Sequence, residues 1–542
     1  MDPRSGSHAL VESLLTEGAD TLFGIPGVAT LAVYDAFLDH PELRPIGVRH
    51  EQAAVFMADG YARASGRVGV ALTSAGPGAL NSLTAMATAY NDSVPVLHVV
   101  NENPAAVRRK GRGYFHDISD QFGMFRPVTD FGLQVTLADE IPAAIHLAFD
   151  ALRNRRSRPA IVEIAGEALS APTDVEIPAR SERRPHHASP EQIAQAASLV
   201  GGARRPVIWA GGGTVTAGAS PQLLRLAEWT GAPVLTSQAG KGSIGADHPL
   251  HVGNWANEQP VRDLLAASDL LIAVGTRFSY FPTGAWSLQL PSRIVQIDID
   301  PAEIGRNYPV ACGIVGDAAL ALDALLARLG ELAYEGLPAR SAEVRAVLDR
   351  VAAAVGEPVE LDVLGQVRRA LPASAKVFND PTTLAFWARS AWPTSEPRTW
   401  FVPSGFGTLG YALPAAIGAS VADPEGISVA IIGDAGVMFT IQDLMTAVQE
   451  EIPVVVIVFN DEGYGVERRH QDHLFGRRSG VDIRPPDFVA LARSFGATGV
   501  LVEDLSAVGA AVAEAAGTAG PVIIEVPNRF RHPGYGSFGT YE

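Results

Sequence analysis

Runs of apolar, β-branched residues alternate with helix-like patterns three times along this chain. In the first stretch, from Ser7 to Ala171, buried strands are predicted at Val68–Thr73, Val94–Val100 and Ala160–Ile164. Such alternation is typical of parallel α/β sheets, in which a helix connects each strand to the next. A polar, proline-bearing linker without helical or strand periodicity follows at residues 171–190.

Two further stretches repeat this pattern. The second predicts strands at Pro206–Ala210, Pro233–Thr236, Leu270–Val274 and Ile294–Ile299, and an alanine-rich helix at Ala319–Leu332. After a second linker, at residues 335–341, the third predicts strands at Lys376–Phe378, Ser428–Ile432, Val454–Phe459 and Pro521–Val526, and a helix at Thr440–Glu450. We therefore expect three parallel-sheet α/β domains, at residues 1–170, 188–334 and 357–527, and a C-terminal tail or lid at residues 528–542.

The composition, with 47% hydrophobic and 19% charged residues, is that of a packed soluble protein. A net charge of −17 argues against binding to nucleic acid or to an anionic membrane surface. Cys312 is the only cysteine, which excludes intrachain disulfides and cysteine-based metal sites. Because neither a signal peptide nor an apolar run of membrane-spanning length is found, we expect a cytoplasmic protein.

The most specific chemical signal follows two predicted strands of the third stretch. One strand runs into a Gly-Asp-Ala-Gly turn that contains Asp434, and the next runs into an Asn-Asp-Glu-Gly-Tyr-Gly turn that contains Asp461. In a parallel sheet both carboxylates lie at the carboxyl edge, where such sheets bind ligands. Small residues before a helix let a diphosphate reach the backbone N–H groups of the helix N-terminus. Two carboxylates, a backbone carbonyl and phosphate oxygens form a site suited to Mg²⁺.

These two turns resemble the metal motif of the thiamine-diphosphate enzymes of the acetolactate synthase and pyruvate decarboxylase superfamily. The resemblance implies that thiamine diphosphate is the cofactor and that Mg²⁺ is bound by Asp434, Asp461 and the backbone oxygen of Gly463. The residues then expected beside the diphosphate are Gly433, Ala435, Gly436 and Tyr464. Ala435 replaces a glycine of the motif and Asp461 an asparagine, and both replacements are compatible with the site.

Other segments resemble the same superfamily. The resemblance implies that Glu51, at the start of a helix, activates the cofactor's pyrimidine ring, and that Asn81 lies in a cofactor-binding Gly-Pro-Gly turn. It also implies that Leu409 wedges between the cofactor rings and that the Gly407 carbonyl accepts a hydrogen bond from the 4′-amino group. The domains are then pyrimidine-binding, central Rossmann-like and diphosphate-binding. Because the family builds each site from two subunits, a homodimer or homotetramer is implied.

The reaction implied is the non-oxidative decarboxylation of a 2-oxo acid with a larger side chain than pyruvate, with C–C ligation as a further possibility. His116 and Glu467 stand where decarboxylases of this family carry proton-handling side chains, although a structural histidine and a surface glutamate are alternatives. Val28 and the segment 116–121 resemble the 5-guanidino-2-oxopentanoate decarboxylase branch. The acidic residues that we consider as acceptors of a cationic substrate tail are Asp117, Asp120 and Asp380.

Three other functions stay open at this point. They are an acetolactate-synthase-type carboligase, a flavin-dependent enzyme resembling pyruvate oxidase, and a catalytically silent homologue. Gly-rich turns at residues 210–213 and 274–278 are compatible with FAD or a nucleotide, but they lack the full Gly-x-Gly-x-x-Gly context. We therefore expect a scaffold that does not bind FAD.

Overall fold

The computed structural model describes residues 4–533, and three six-stranded sheets organise that part of the chain. In spatial order the first sheet contains Arg44–Gly47, Thr21–Gly24, Gly69–Thr73, Val96–Glu102, Ala160–Ala165 and Phe131–Val135. The second contains His251–Gly253, Val234–Thr236, Pro206–Ala210, Leu270–Val274, Ile294–Asp298 and Cys312–Val315. The third contains Trp400–Phe401, Lys376–Asn379, Ser428–Gly433, Val455–Asn460, Val522–Pro527 and Thr498–Leu501. Neighbouring strands of all three sheets are parallel, so the predicted α/β class is confirmed.

Helices cover the faces of each sheet. Around the first sheet they are Gly6–Thr16, Leu31–Ala36, Glu51–Ser65, Pro77–Asn81, Leu83–Asp92, Gln121–Phe125, Ile141–Asn154 and Gly166–Ser170. Around the second they are Pro190–Gly201, Gly212–Thr216, Ser220–Thr230, Gln259–Ala266, Ala318–Glu331 and Ser341–Val355. Around the third they are Val359–Arg369, Thr383–Ala391, Ala412–Ala422, Asp434–Val437, Leu444–Gln449, Gly465–Phe475, Phe488–Phe495 and Val508–Ala516. Arg4–Ser5 pairs with Pro172–Thr173 in a separate antiparallel ribbon.

All the predicted strands occur, with ends shifted by two residues at most. The six edge strands were not predicted, because they are short or half-exposed and lack a continuous apolar run. The helix predicted at Thr440–Glu450 was too long: a 3₁₀ turn, Ile441–Asp443, precedes the helix Leu444–Gln449. The helix Ser341–Val355 was also missed, and its apolar face packs on the core of the second sheet.

The first and third domains meet through two small-residue helices. A Cβ atom on Gly60 would lie 1.9 Å from the carbonyl oxygen of Ala415, and one on Gly418 would lie 2.0 Å from that of Met57. The helices Glu51–Ser65 and Ala412–Ala422 therefore touch backbone to backbone. Such an approach needs glycine at both positions, because any larger side chain overlaps the facing helix.

A buried polar network crosses the same interface. Asp59 accepts hydrogen bonds from Arg63 Nε at 2.6 Å and from the Tyr411 hydroxyl at 2.8 Å. Arg63 also donates to Asp92 Oδ2 at 3.0 Å. Because the carboxylate of Asp59 is fully buried, these partners are needed to offset its desolvation.

Asp443 connects the third domain to the segment that precedes Glu51. Its Oδ1 accepts the backbone N–H of Arg49 at 2.8 Å, whereas its Oδ2 is buried without a hydrogen-bond partner among the described residues. Burial raises the pKa of Asp443 to about 7. This carboxylate thus fixes the start of the helix Glu51–Ser65. Because it is buried, its ionisation lowers the free energy of unfolding as pH rises.

Replacing Gly60 by alanine should lower the free energy of unfolding by about 1–3 kcal/mol, because the added methyl group overlaps the facing backbone. The matched control is Gly201→Ala, at the end of a helix where a Cβ meets no atom within 4 Å. The control should be neutral or slightly stabilising, since alanine favours helix more than glycine does. The midpoints of urea unfolding measure the change in stability of both variants. Equal midpoints for the two variants would contradict the close packing.

Asp443→Asn should change how stability depends on pH. The folded-state pKa of about 7 exceeds the ordinary value of 3.8, so the wild type loses stability as pH rises between these values. Asparagine does not titrate and keeps an oxygen for the Arg49 N–H, so the variant should gain on the order of 1–4 kcal/mol relative to wild type between about pH 5 and pH 8. Urea unfolding across this range measures the gain. Asp349→Asn, at an exposed helical position, should give a free energy of unfolding that changes with pH as that of the wild type does. The same pH dependence for Asp443→Asn would contradict a raised pKa of Asp443.

Candidate functional site

Two carboxylates lie at the carboxyl ends of neighbouring strands in the third sheet. Asp434 follows strand Ser428–Gly433, Asp461 follows strand Val455–Asn460, and the two strands are paired directly. Burial, and then the negative charge of Asp434, raise the pKa of Asp461 to about 6, and burial also raises the pKa of Asp434. Two acids placed like this favour a bound cation, because it removes their mutual repulsion.

The turn at residues 460–465, named here the metal turn, is shaped around these acids. The backbone N–H of Gly463 donates to Asp434 Oδ2 at 3.0 Å, which places Gly463 beside that carboxylate. A Cβ on Gly465 would lie 2.1 Å from Asp461 Oδ2. Glycine at Gly465 therefore keeps space around the Asp461 oxygen. Asp434, Asp461 and Gly463, which were predicted as metal ligands, are thus brought together.

A third strand end joins this edge, and the helix cap that follows it was missed in the sequence. Strand Lys376–Asn379 leads to Thr382, whose hydroxyl accepts the N–H of Ala385 and caps the helix Thr383–Ala391. A Cβ on Gly433 would lie 3.4 Å from the Thr382 methyl carbon. The N-terminus of this helix thus faces the Gly433–Gly436 turn, where an anionic group is favoured. A Thr-Thr pair after a strand and before a helical pattern was the available signal.

The segment 403–411, named here the wedge loop, carries Gly407 and Leu409. Its last residues are held by Asp380, whose Oδ2 accepts the N–H of Gly410 at 2.6 Å and whose Oδ1 accepts that of Ala412 at 2.8 Å. Gly407 and Gly410 have φ angles of +71° and +76°, which explains glycine at both positions. Leu409 is half-buried, with part of its side chain facing outward.

The other end of the wedge loop is held by the first domain. Asp92 accepts the backbone N–H groups of Ser404 at 3.1 Å and of Gly405 at 2.8 Å. Since Asp92 also binds Arg63, the loop is tied to the interface network. Leu409 therefore lies on a segment that is anchored at both ends.

Glu51 lies in the first turn of its helix and faces the Gly-Pro-Gly turn. Its Oε2 accepts a hydrogen bond from Asn81 Nδ2 at 2.9 Å. A Cβ on Gly78 would be 3.4 Å from Glu51 Oε1, so this glycine lets the turn approach the carboxylate. Two residues predicted separately, Glu51 and Asn81, are therefore direct partners.

His116 lies against the same turn. Its backbone has a φ of +60°, and a Cβ on Gly76 would lie 2.8 Å from its carbonyl oxygen. The neighbouring ring of Phe115 stacks on the imidazole with centroids 3.7 Å apart. Glu51, Asn81 and His116 thus form one group at the carboxyl edge of the first sheet.

The remaining predicted residues lie in the third domain. Tyr464 is half-buried and donates its backbone N–H to Val481, and Glu467 is exposed in the first turn of helix Gly465–Phe475. The predicted residues therefore fall into two groups, one around Glu51 in the first domain and one around Asp434 and Asp461 in the third.

The three acids considered for a cationic substrate tail are partly corrected. Asp380 is fully buried and both its oxygens accept backbone N–H groups, so it supports the wedge loop and does not receive a substrate. Asp117 accepts the backbone N–H of Arg109. Asp120 caps helix Gln121–Phe125 and lies 3.5 Å from the Arg109 guanidinium. Asp117 and Asp120 stay as candidates.

The beginning of the C-terminal tail lies on the third domain. Trp387 Nε1 donates to the carbonyl oxygen of Arg531 at 2.6 Å, and the rings of Phe530 and Phe459 are 5.3 Å apart. The part of the predicted tail or lid at residues 534–542 lies outside the described residues.

A cavity of about 570 Å³ opens between the three domains. It is lined by the Gly-rich turns at Gly212 and Gly275, and by ten Lys and Arg against five Asp and Glu side chains, so it favours an anionic occupant. The absence of FAD stays a prediction.

Within the described residues, no helix combines the length and the apolarity needed to span a membrane. In the same range no group of three or more His, Cys, Asp or Glu side chains has the arrangement of a metal site. The predicted metal set contains two side chains and one backbone oxygen.

Comparison with known families gives three matches, in the order of the three sheets. Residues 4–124 match the N-terminal TPP binding domain of thiamine pyrophosphate enzymes, residues 193–325 match their central domain, and residues 380–526 match their C-terminal TPP binding domain. Glu51, Asn81 and His116 lie within the first match, and the metal turn lies within the last.

Curated relatives align along most of their length. The chain is 38% identical over 529 residues to the probable 2-ketoarginine decarboxylase AruI of Pseudomonas aeruginosa, covering 96% of this chain and 94% of that protein. It is 36% identical to the probable acetolactate synthase large subunit of Methanocaldococcus jannaschii, covering 91% and 86%, and 34% identical to the acetolactate synthase large subunit of Haemophilus influenzae, covering 93% and 90%. The chain therefore belongs to the thiamine pyrophosphate enzyme family.

Proposed function

We propose that this chain catalyses the non-oxidative decarboxylation of a 2-oxo acid, using thiamine diphosphate held by Mg²⁺. The observation that carries the proposal is the pair of carboxylates, buried Asp434 and half-buried Asp461, at neighbouring strand ends beside a helix N-terminus. These oxygen donors would hold a hard divalent cation, and the helix N-terminus would receive an anionic diphosphate. When bound, the cofactor supplies an electron sink for the carbon next to the carbonyl group.

Each group of residues has a distinct task in this proposal. Asp434, Asp461 and the Gly463 carbonyl hold the cation, and the helix N-terminus after Thr382 receives the diphosphate. The wedge loop presents Leu409 and the Gly407 carbonyl. Its two anchors, Asp380 and Asp92, keep that presentation rigid, which limits the motion lost on binding.

Proton handling falls to the first-domain group and to one residue of the third domain. Glu51 is half-buried and bonded to Asn81, so its carboxylate is oriented to share a proton with the cofactor's pyrimidine ring. His116 and Glu467 are proposed to hold and deliver the proton that replaces CO₂. A histidine titrates near neutral pH, which suits this role.

The proposed substrate carries a guanidino group at the end of its side chain. The relative named for 2-ketoarginine supports this choice, as does the exposed carboxylate of Asp120, which lies 3.5 Å from the guanidinium of Arg109. Acetolactate-type carboligation is the second candidate, because two of the relatives carry that name. A flavin-dependent oxidase and a silent homologue are less well supported, since the cofactor residues above are all present.

The proposed assembly is a homodimer or homotetramer with active sites between subunits. The family resemblance, which implies that each site is built from two subunits, supports another copy of the chain as the source of the glutamate. A covered face is supported by half-exposed apolar side chains on and near the wedge loop, which are Phe406, Met438 and Phe439. A cytoplasmic location is part of the proposal.

The protein should release CO₂ and a free aldehyde from 5-guanidino-2-oxopentanoate, with kcat/KM about tenfold or more above that for pyruvate, because an acid that pairs with the cationic tail favours substrates that carry it. Product analysis on a panel of 2-oxo acids, with thiamine diphosphate and Mg²⁺ added to stripped protein, measures this. Removing Mg²⁺ with a chelator should abolish turnover.

Two variants test whether the measured turnover depends on Glu51. Glu51→Gln should lower kcat by about 10²–10⁴-fold on every substrate while leaving cofactor binding intact. Glu503→Gln, at an exposed position, should match the wild type. A hydroxyketone formed from pyruvate in place of free aldehyde would favour the carboligase. If no oxo acid released CO₂, both the decarboxylase and the carboligase proposals would be contradicted.

Mixing two inactive variants should restore activity. In Glu51→Gln the metal turn is intact, and in Asp434→Asn the glutamate is intact, so a mixed dimer contains one unaltered site. Random exchange of subunits should return about one quarter of the wild-type activity. The assay follows CO₂ release after the variants are dissociated together and reassembled, with each variant treated alone as the control. A mixture as inactive as its components would place both residues in one subunit's site.

A further inference from the structure

Arg468 holds the metal turn from the side of the following helix. Its Nη1 donates to the carbonyl oxygen of Asp461 at 2.6 Å, its Nη2 donates to that of Glu462, and its Nε donates to the Asp482 carboxylate at 2.6 Å. The arginine side chain is only 7% exposed, so these bonds form away from bulk water. A planar guanidinium that makes three directed bonds fixes the path of the turn.

The space for this guanidinium is provided by glycine. A Cβ on Gly463 would lie 2.2 Å from Arg468 Nη2 and 2.3 Å from the carbonyl oxygen of Val481. Gly463 also forms a β-bridge with Asp482, which brings that carboxylate to the far side of the arginine. Gly463, Arg468 and Asp482 are therefore fitted to one another.

Arg468 also forms an ion pair with one of the two acids. Its Nη1 is 3.6 Å from Asp461 Oδ1, and the charge of Arg529 acts on the same carboxylate after that of Arg468. Asp461 stands where the related metal motif carries a neutral asparagine. It therefore adds a full negative charge at a position where a diphosphate must approach, and like charges at such a distance repel strongly in a partly buried site.

We propose that Arg468 is a positioning residue that offsets the additional charge of Asp461, so that the metal turn accepts a diphosphate despite having two acids. This inference rests on the proposed function. It goes beyond it by assigning Asp461 and Arg468 as a coupled pair, in which the arginine is required because the aspartate is present. Arg468 also holds the backbone of the turn, and the two roles predict different results when Asp461 is made neutral.

The test is a double-mutant cycle on the full chain stripped of cofactor. Thiamine diphosphate is titrated at saturating Mg²⁺ by calorimetry into the wild type, Arg468→Gln, Asp461→Asn and the Asp461→Asn/Arg468→Gln double variant. The dissociation constant is the readout, independent of catalysis. Circular dichroism and urea midpoints verify that each protein is folded.

Arg468→Gln should weaken thiamine diphosphate binding by about tenfold or more, because it removes a positive charge that offsets Asp461 in addition to the bound Mg²⁺. The double variant should bind within about threefold of Asp461→Asn, since no charge is then left to offset. Arg468→Lys keeps the charge but loses the planar fork, so its dissociation constant should lie between those of the wild type and Arg468→Gln. Lysine also provides a folded variant if glutamine disturbs the turn.

Two results would overturn the inference without touching the proposed function. One is a double variant that binds as weakly as Arg468→Gln, which would leave Arg468 as a backbone anchor alone. The other is Arg468→Gln binding like the wild type. Arg478→Gln is the matched control, because Arg478 is an exposed arginine paired with Asp472 just beyond the same helix, and it should bind like the wild type. A wild type that does not bind thiamine diphosphate at all would overturn the proposed function together with this inference.

Discussion

The site in the third domain depends on two carboxylates, one buried and one half-buried, that lie at one edge of its sheet. Parallel strands deliver Asp434 and Asp461 to that edge because each acid follows the strand directly. Burial raises the pKa of both acids and the charge of Asp434 raises that of Asp461 further, so the arrangement is costly without a partner of opposite charge. Much of the surrounding structure lowers this cost: the Gly463 N–H approaches Asp434, and Arg468 approaches Asp461. An edge prepared in this way is suited to a cation and an anionic ligand together.

The second constraint is the backbone contact between the first and third domains. Gly60 and Gly418 allow two helices to touch, and this contact fixes the positions of everything attached to them. Asp92 then reaches the wedge loop and Asp443 reaches the residue before His50. One interface therefore orients both the loop that carries Leu409 and the helix that begins with Glu51. Rigid support of this kind places functional side chains more precisely than loops alone can.

Local pattern was enough to predict the central strands other than Thr21–Gly24, together with the turns after them and the side chains that those turns carry. Asp434, Asp461 and Glu51 were found because each directly follows or begins a regular element. The supporting residues were not found, because their contacts join distant parts of the chain. Asp380 binds an amide 30 positions away, and Asp92 binds one 312 positions away. From its local sequence, Asp380 was only a polar residue after a strand, so it was wrongly considered as an acceptor of a cationic substrate tail. The short edge strands were missed because they carry too little apolar sequence to stand out.

The division of the site follows from the same interface. Helix Glu51–Ser65 is pressed against helix Ala412–Ala422 of its own chain, so it cannot move toward Asp434 without separating Gly60 from Ala415. Such a movement would expose the buried Asp59 and its partners, which is costly for a charged group. Glu51 and the metal turn of one chain are therefore held in a fixed relation by the domain interface. In the proposed dimer, a second copy of the chain supplies its glutamate to the metal turn, and neither domain has to separate from the other.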